Sequence, residues 1–371
     1  MIRILHVLGG LDRGGAETMV MNFYREIDRC EIQFDFIIHS ETENDYRSEI
    51  EDMGGKIYIF PKFKLYNILS YRNEWKKFLK NHPEYKIIHS HVRSYASVFL
   101  PIAKNYGIKT IVHSHSTSNG KGFKAIVKYF LQRPLYRQAD YLFSCSMEAG
   151  KWLFGENAVN SDKHILIPNA IDVDKYIFNE QNRNRIRKNL DLNNNIILGH
   201  VGRYDYQKNF PFLLDLMYDL KKIDSKYVLI QIGDGDRYNE LRDEIKKKSL
   251  ENNFILLGVR DDVPELMQSM DIFIFPSRNE GLGIVAVESQ ASGLPTLLSN
   301  RIPTEVAMTD LVKYISISNG TGEWIDAILN ADISKRDSRT SDIEKAGYGI
   351  KEASLKMVEY YKTLLDIWYI L

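Results

Sequence analysis

Glu280 and Glu288, eight positions apart, flank two glycines, Gly281 and Gly283, and the apolar run Ile284-Val285-Ala286-Val287. Ionised carboxylates accept several O–H bonds at once and so suit hydroxyl-rich ligands. A glycine-rich helix start leaves backbone N–H groups unpaired, and these favour an anion. The apolar run reads as a helix opened by the glycines, with Glu288 about two turns inside it. Taken alone, the pair fits a solvated helix with two surface glutamates equally well.

A second set lies upstream, in Gly199-His200-Val201-Gly202-Arg203-Tyr204-Asp205-Tyr206-Gln207-Lys208-Asn209. Arg203 and Lys208 follow an apolar run, Ile196-Ile197-Leu198, and precede a helical stretch. Arginine presents a planar fork and lysine a compact point charge, a combination suited to a diphosphate. Singly, each reads as a surface cation. Two cations and two carboxylates at strand ends in one half of the chain are hard to explain as solvation.

Those side chains need strands to carry them. The first half offers Ile2–Val7, Phe34–His39, Ile57–Phe60, Ile87–His91, Thr110–His115 and Tyr141–Cys145. The second half offers Ile196–Val201, Tyr227–Ile232, Phe254–Leu257, Ile272–Pro276 and Thr296–Ser299. Short apolar runs alternating with helical segments indicate parallel sheets covered on both faces. The two series split near Asn169–Asp174, at a Pro-Asn turn followed by an asparagine-rich stretch with a helix expected over Arg183–Leu190. The pattern predicts an α/β protein of two Rossmann-like domains, residues 1–170 and 171–350. The tail, Ile350–Leu371, reads as an amphipathic helix with Leu355, Met357, Val358, Tyr361, Leu364 and Leu365 as apolar members.

Composition narrows the class. The 371 residues exceed what one hydrophobic core usually spans. A net charge of zero argues against a general nucleic-acid binder. Cys30 and Cys145 have neither metal-site nor redox spacing, which fits a reducing cytosol. The opening Met1-Ile2-Arg3-Ile4-Leu5-His6-Val7-Leu8 reads as a buried strand and not as a signal peptide, and no stretch reaches the length of a membrane span. A cytoplasmic protein is expected.

Charge is unevenly placed. Between Pro61 and Arg137, fifteen Lys or Arg face only Glu74 and Glu84, an excess of thirteen positive charges. Within this region Gly120-Lys121-Gly122-Phe123-Lys124-Ala125-Ile126-Val127-Lys128-Tyr129-Phe130-Leu131 mixes lysines with large apolar groups. The mixture suits docking on an anionic bilayer or an amphipathic core helix with solvated lysines. Single-stranded nucleic acid also uses such surfaces, but no RNA-binding motif accompanies this one.

With these motifs in this order, the chain resembles the retaining nucleotide-sugar glycosyltransferases of family 4, from its first strand to its last helix. The resemblance rests on the Gly202-Arg203-x4-Lys208 and Glu280-x7-Glu288 segments. Gly9-Gly10-Leu11-Asp12-Arg13-Gly14-Gly15-Ala16-Glu17, Pro168-Asn169-Ala170-Ile171-Asp172 and Gly233-Asp234-Gly235 support it. It implies a GT-B fold, two domains facing across a cleft, with the final helix (351–371) returning to the first. The first domain would be the acceptor side and the second would bind the nucleotide-sugar, most simply a UDP-sugar. Arg203 and Lys208 would hold the diphosphate and stand in for a metal, so no metal or other cofactor is expected. Glu280 would bind a donor-sugar hydroxyl and Glu288 the ribose. Gly281, Leu282 and Gly283 would position sugar and phosphate through their backbone, alongside Gly202 and Gly233. The segment Gly258–Val263, with Arg260 and Val263, matches the base-recognising loop.

On the first domain, His89, His91, His113 and His115 form two His-Ser-His sequences. A metal site there lacks a nearby carboxylate or cysteine. In the resemblance His115 contacts the donor sugar near the reacting centre, His113 is structural and His91 lies on the acceptor side. Gly14 and Gly15 lack the Gly-x-Gly-x-x-Gly spacing of a dinucleotide site; they fit either a tight strand-to-helix turn or a close approach to the donor diphosphate and sugar. Ala170 and Asp236 depart from the family's usual Gly and Pro. No carboxylate presents itself as a covalent nucleophile, so retention would follow front-face attack within an ion pair. The acceptor implied is a saccharide, lipid-diphosphate-linked as in bacterial capsule or exopolysaccharide assembly, reached at the inner face of the membrane. Two rivals share the fold: a UDP-sugar 2-epimerase and a catalytically silent sugar-nucleotide-binding subunit.

Overall fold

The computed structural model describes residues 1–40, 45–118, 122–235 and 238–365, and only the backbone of Phe123 and Lys124. Gly120, Lys121, Asp236 and the last six residues of the tail, all singled out above, lie outside the described residues. The chain divides into two compact units, Met1–Ile171 with Ile350–Leu371, and Asp172–Gly349.

The first unit is built on a seven-stranded sheet: β1 (Ile2–Val7), β2 (Ile32–Ile38), β3 (Ile57–Ile59), β4 (Ile87–Ser90), β5 (Lys109–Ser114), β6 (Tyr141–Ser144) and β7 (His164–Leu166). Its order is β3-β2-β1-β4-β5-β6-β7, with every pair parallel. The second unit holds a six-stranded parallel sheet: β8 (Ile196–Val201), β9 (Tyr227–Ile232), β10 (Phe254–Leu256), β11 (Ile272–Phe275), β12 (Thr296–Ser299) and β13 (Val312–Ile315), in the order β10-β9-β8-β11-β12-β13. In each sheet the chain works outward from the first strand in one direction, then restarts on its other side. This places a topological switch point between β1 and β4, and another between β8 and β11. Ligands of open α/β sheets collect at the carboxyl ends of strands at such points.

Apolar runs made the central strands legible, and those strands are buried along their whole length in β2 and β9. Two edge strands were not anticipated. His164–Leu166 and Val312–Ile315 are short and only partly buried, so neither needs the continuous apolar run that marks a strand covered on both faces. The ends of β4 and β5 also fall one residue short of expectation. His91 and His115 lie just past their strands, where the chain turns away from the sheet.

Helix positions follow caps and burial. The helix expected over Arg183–Leu190 runs Glu180–Asn189, because the Asn179 side chain accepts a hydrogen bond from the Asn182 N–H at 3.0 Å and starts it a turn earlier. The final helix, Ile350–Leu364, places Ile350, Ala353, Met357, Tyr361 and Leu364 in a core shared with Met19, Val20 and Phe23 of the helix Gly15–Glu26. Leu355 is a correction: it is 72% exposed. Two residues before Met357 on a helix of 3.6 residues per turn, it points away from the packed stripe. In the second unit, the helix Phe210–Ile223 buries Phe210, Leu213, Leu214, Met217 and Leu220 along one face against β8 and β9. Each such side chain contributes roughly 1.5–3 kcal/mol. Lys221 and Lys222 close its last turn, favourable beside the negative end of the helix dipole.

Candidate active site

The loops leaving β8 and β11, neighbours across the second sheet's switch point, carry the two sets of residues. Lys208 Nζ donates to Glu280 Oε1 at 2.8 Å, and Gln207 Nε2 to Glu280 Oε2 at 3.0 Å. One carboxylate is thus held at both oxygens. The pair is largely out of water, with side-chain exposures of 15% for Lys208 and 9% for Glu280. The Lys208 ammonium also sits 4.5 Å from the centroid of the Phe275 ring, a favourable cation–π geometry. The two loops are joined again through the backbone, where the Arg278 N–H donates to the Gln207 carbonyl at 2.8 Å.

Backbone shape makes this convergence possible. Asn209 adopts a left-handed conformation (φ 59°, ψ 46°) and donates its side-chain amide to the Pro276 carbonyl at 3.1 Å. Asparagine tolerates that conformation better than other non-glycine residues. Gly202 leaves room for the lysine: a Cβ there would come within 2.8 Å of Lys208 Cε. Gly233, at φ 123°, lies so close to Gly202 that a Cβ would stand 2.4 Å from its carbonyl oxygen. That contact is with backbone and cannot yield by a rotamer change. Gly233→Ala is therefore expected to destabilise the second unit by about 1–3 kcal/mol, read as a lowered Tm in calorimetry; an unchanged Tm would show that the loops separate freely.

Glu280 and Glu288 are each 8% exposed, which excludes the solvated-helix reading of the pair. The helix begins at Ile284, with Gly283 before it in a left-handed conformation (φ 92°), so Glu288 lies just over one turn in and not two. Burial raises the Glu288 carboxyl to about 7, with the Tyr176 hydroxyl beside it pulling the other way. Gly281 and Leu282 are buried in the connecting turn. Arg203 projects from the β8 loop as an exposed residue. Arg260 is exposed too, and pairs with Asp262 on its own loop through bonds of 2.8 and 2.7 Å. Val263 opens the following helix, Val263–Ser269.

Three participants had escaped the sequence reading. Gln207 was adjacent to a recognised residue, but nothing in its type marked it. Tyr176 lies more than a hundred positions from Glu288, in a short turn after Asp172. Gln231 donates through Nε2 to the Gly202 carbonyl at 2.7 Å and accepts through Oε1 from Nδ1 of the buried His200.

In the first unit, Gly14 precedes the helix Gly15–Glu26 with φ −79°, a conformation open to any residue. A Cβ at Gly15 would meet nothing within 4 Å. Neither glycine is required by its backbone conformation, though a Cβ at Gly14 would stand 2.3 Å from Glu17 Oε2 and displace that side chain. His91 and His115 are brought together, His91 Nδ1 and His115 Nε2 lying 2.9 Å apart, and His6, unforeseen, joins them, its Nδ1 2.9 Å from His91 Nε2. His6, His89 and His91, and likewise His91, His113 and His115, could each offer a metal three nitrogens within 4.8 Å of one another. Several of those nitrogens are already directed at a neighbouring ring rather than at a shared point.

The comparisons with known proteins agree with this architecture. Residues 13–175 match the Glycosyltransferase Family 4 pattern and residues 181–339 the pattern of Glycosyl transferases group 1. Anabaena HepE, solved in complex with UDP and glucose, superposes with a TM-score of 0.80 over 98% of this chain and 100% of that one, at 19% identity. Fold and sheet topology therefore define a two-domain α/β protein of the GT-B class.

EpsF of Bacillus subtilis (strain 168) is 33% identical over 343 residues, 91% of this chain and 89% of that protein. The chain belongs to glycosyltransferase family 4. A shorter match, 30% identical over 146 residues and 38% of each chain, is to the UDP-Gal:alpha-D-GlcNAc-diphosphoundecaprenol alpha-1,3-galactosyltransferase of Escherichia coli.

Proposed function

We propose that this glycosyltransferase moves a sugar from a UDP-sugar to a lipid-diphosphate-linked saccharide during surface polysaccharide synthesis, with retention at the anomeric carbon and without a metal or other cofactor. The observation that carries the reading is the joining of Lys208, Gln207 and Glu280 at the carboxyl ends of β8 and β11. A cation and a carboxylate held together in a poorly solvated site suit a ligand that is diphosphate at one end and hydroxyl-rich at the other. The names of relatives point the same way: the Escherichia coli enzyme uses UDP-Gal and a diphosphoundecaprenol-linked sugar, and HepE was crystallised with UDP and glucose.

In this mechanism the bond between the anomeric carbon and the diphosphate breaks, and its electron pair leaves with UDP. Lys208 and Arg203 stabilise the charge that develops there, the part a divalent cation takes in other phosphate chemistries. The acceptor oxygen attacks the same face and passes its proton to the departing phosphate oxygen. Glu280 holds a donor-sugar hydroxyl and Glu288 the ribose. Gly14, Gly15, Gly202, Gly233 and Gly281-Leu282-Gly283 give backbone access, Arg260 and Val263 border the base, and His115 touches the sugar, with His91 on the acceptor side.

The experiment is turnover of a panel of UDP-sugars in EDTA, with and without membrane extract as acceptor. Transfer that needs the extract and survives EDTA supports the reading. Acceptor-free isomerisation of the donor would make the protein an epimerase, and binding without turnover a silent subunit.

Access to a lipid-linked acceptor requires a membrane surface. No helix among the described residues is long and apolar enough to cross one. The helix Phe123–Gln132 instead exposes Ile126, Tyr129 and Phe130 at 54%, 56% and 63%, spaced to share one face, with Lys128 and Arg133 exposed around them. Such a face suits an anionic interface. The double substitution Ile126→Glu, Phe130→Glu is expected to weaken binding to phosphatidylglycerol vesicles at least tenfold in co-sedimentation, while UDP-sugar binding stays unchanged. Equal vesicle binding by the variant would remove this face from the proposal.

A further inference from the structure

Five histidines, His6, His89, His91, His113 and His115, stand on one face of the first sheet where β1, β4 and β5 end. Their rings form two chains. In one, His6 Nδ1 faces His91 Nε2 and His91 Nδ1 faces His115 Nε2, each at 2.9 Å. Ring centroids along it are 5.2 and 5.1 Å apart with interplanar angles of 12° and 29°. Those separations, with such short N···N distances, place the rings end to end and close to coplanar. The other chain runs from the Tyr361 hydroxyl to His89 at 2.7 Å and on to His113 at 3.2 Å.

Each N–H···N bond needs one donor and one acceptor, and a neutral imidazole carries one of each. Burial holds His6 and His91 well below their ordinary titration range and His115 at about 3, so all three are neutral near pH 7. The proton on one ring then dictates the next. Either all three carry it on Nδ1 or all three carry it on Nε2. The two chain ends, His6 Nε2 and His115 Nδ1, are buried and have no hydrogen-bond partner.

The ends differ in what can reach them. His6 lies within β1, packed against Phe34 at 4.1 Å between centroids, Phe36 and the His89 ring at 5.1 Å. The two His89 nitrogens are engaged with Tyr361 and His113, so the outer nitrogen of His6 meets no partner. His115 lies past β5 and is partly exposed. Orphaned N–H groups are rarer and costlier in protein interiors than under-used acceptors. A lone pair at the deep His6 end and the N–H at the His115 end is the cheaper arrangement. We propose that His6 and His91 are positioning residues which hold His115 as its Nδ1–H tautomer, so that it donates a hydrogen bond to an oxygen of the donor sugar. This rests on the reading of His115 as a sugar contact, and it assigns a role to His6, which touches no substrate.

The test uses the full chain labelled with ¹⁵N-histidine, dialysed against EDTA, in long-range ¹H–¹⁵N spectra that report the tautomer of each ring. Wild type should show His6, His91 and His115 all protonated on Nδ1. His6→Leu removes the donor and should leave His115 in mixed tautomers, with kcat lowered about tenfold, the factor expected for one lost hydrogen bond. His6→Asn restores an N–H near the Nδ1 position and should restore both the spectrum and kcat. Mixed tautomers in wild type, all three rings protonated on Nε2, or equal spectra for the Leu and Asn variants would each overturn the proposal. Failure of the underlying reading looks different: the chain of Nδ1–H tautomers would be intact, yet His115→Ala would leave donor KM and kcat unchanged.

Discussion

Lys208→Ala is expected to lower kcat/KM for sugar transfer by about a thousandfold. Roughly a hundredfold to a thousandfold is what one preorganised group aimed at developing charge supplies, and Lys208 is aimed from a site that excludes much of the solvent. The substitution also strands Glu280, which would keep Gln207 as a partner but lose its cation. Breaking a buried pair by removing one side costs about 3–5 kcal/mol when burial is complete. Here the residual exposure of both groups places the effect at the low end. Lys208→Arg keeps the charge, but a bulkier planar head must fit where the lysine stem already lies against Gly202, so only partial recovery is expected. Glu280→Gln keeps the geometry toward Gln207 and removes the charge, and should lose donor-sugar selectivity along with rate. Steady-state kinetics across the UDP-sugar panel, with circular dichroism to confirm folding, decides the matter. A Lys208→Ala enzyme retaining more than a tenth of its activity would remove this lysine from the chemistry.

The second large effect concerns Glu288, where stability and binding should move in opposite directions. Its carboxyl is raised from 4.5 to about 7 by burial. The native protein therefore holds this proton more tightly than the unfolded chain does. Stability falls as pH rises between those two values and is level above about 7, with about 3 kcal/mol lost across the interval. Glu288→Gln has no proton to lose. It should be close to wild type in Tm near pH 4.5 and more stable near pH 8, by up to that amount. If the carboxylate accepts the ribose hydroxyls, the same variant should bind UDP about tenfold to a hundredfold more weakly at pH 8. Calorimetry at the two pH values and UDP titration at pH 8 measure both. A variant less stable than wild type at pH 8 would show that the carboxylate is satisfied by partners the present geometry does not supply.

Much of this protein was legible in its sequence, for identifiable reasons. Central strands such as Ile196–Val201 and Tyr227–Ile232 are covered on both faces, so they are largely apolar, with His200 and Gln231 bonded to each other where they are not, and their bounds were read correctly. Edge strands carry no such requirement: of the four, β3 and β10 were legible and β7 and β13 were missed. The chemistry-bearing residues were recognisable by type and spacing, because a diphosphate calls for Arg and Lys and a polyol for carboxylates. What spacing could not supply was their company. A Lys-to-Glu separation of seventy-two positions carries no contact information until β8 and β11 are known to be neighbours.

The sequence by itself determined the α/β alternation, the membership of a sugar-transferring family and the residue types available for the reaction. Tertiary structure alone decided which of them touch, how far each is dried and what that does to its protons. Glu280 and Glu288 look alike in the chain. One is held at both oxygens by Lys208 and Gln207; the other is buried beside Tyr176 and raised to about 7. The five histidines show the same division, since their tautomers are set by neighbours on three different strands and on the final helix. The physical reason is that desolvation and hydrogen-bond direction depend on positions in space, and in a parallel sheet adjacent strands lie tens of residues apart along the chain.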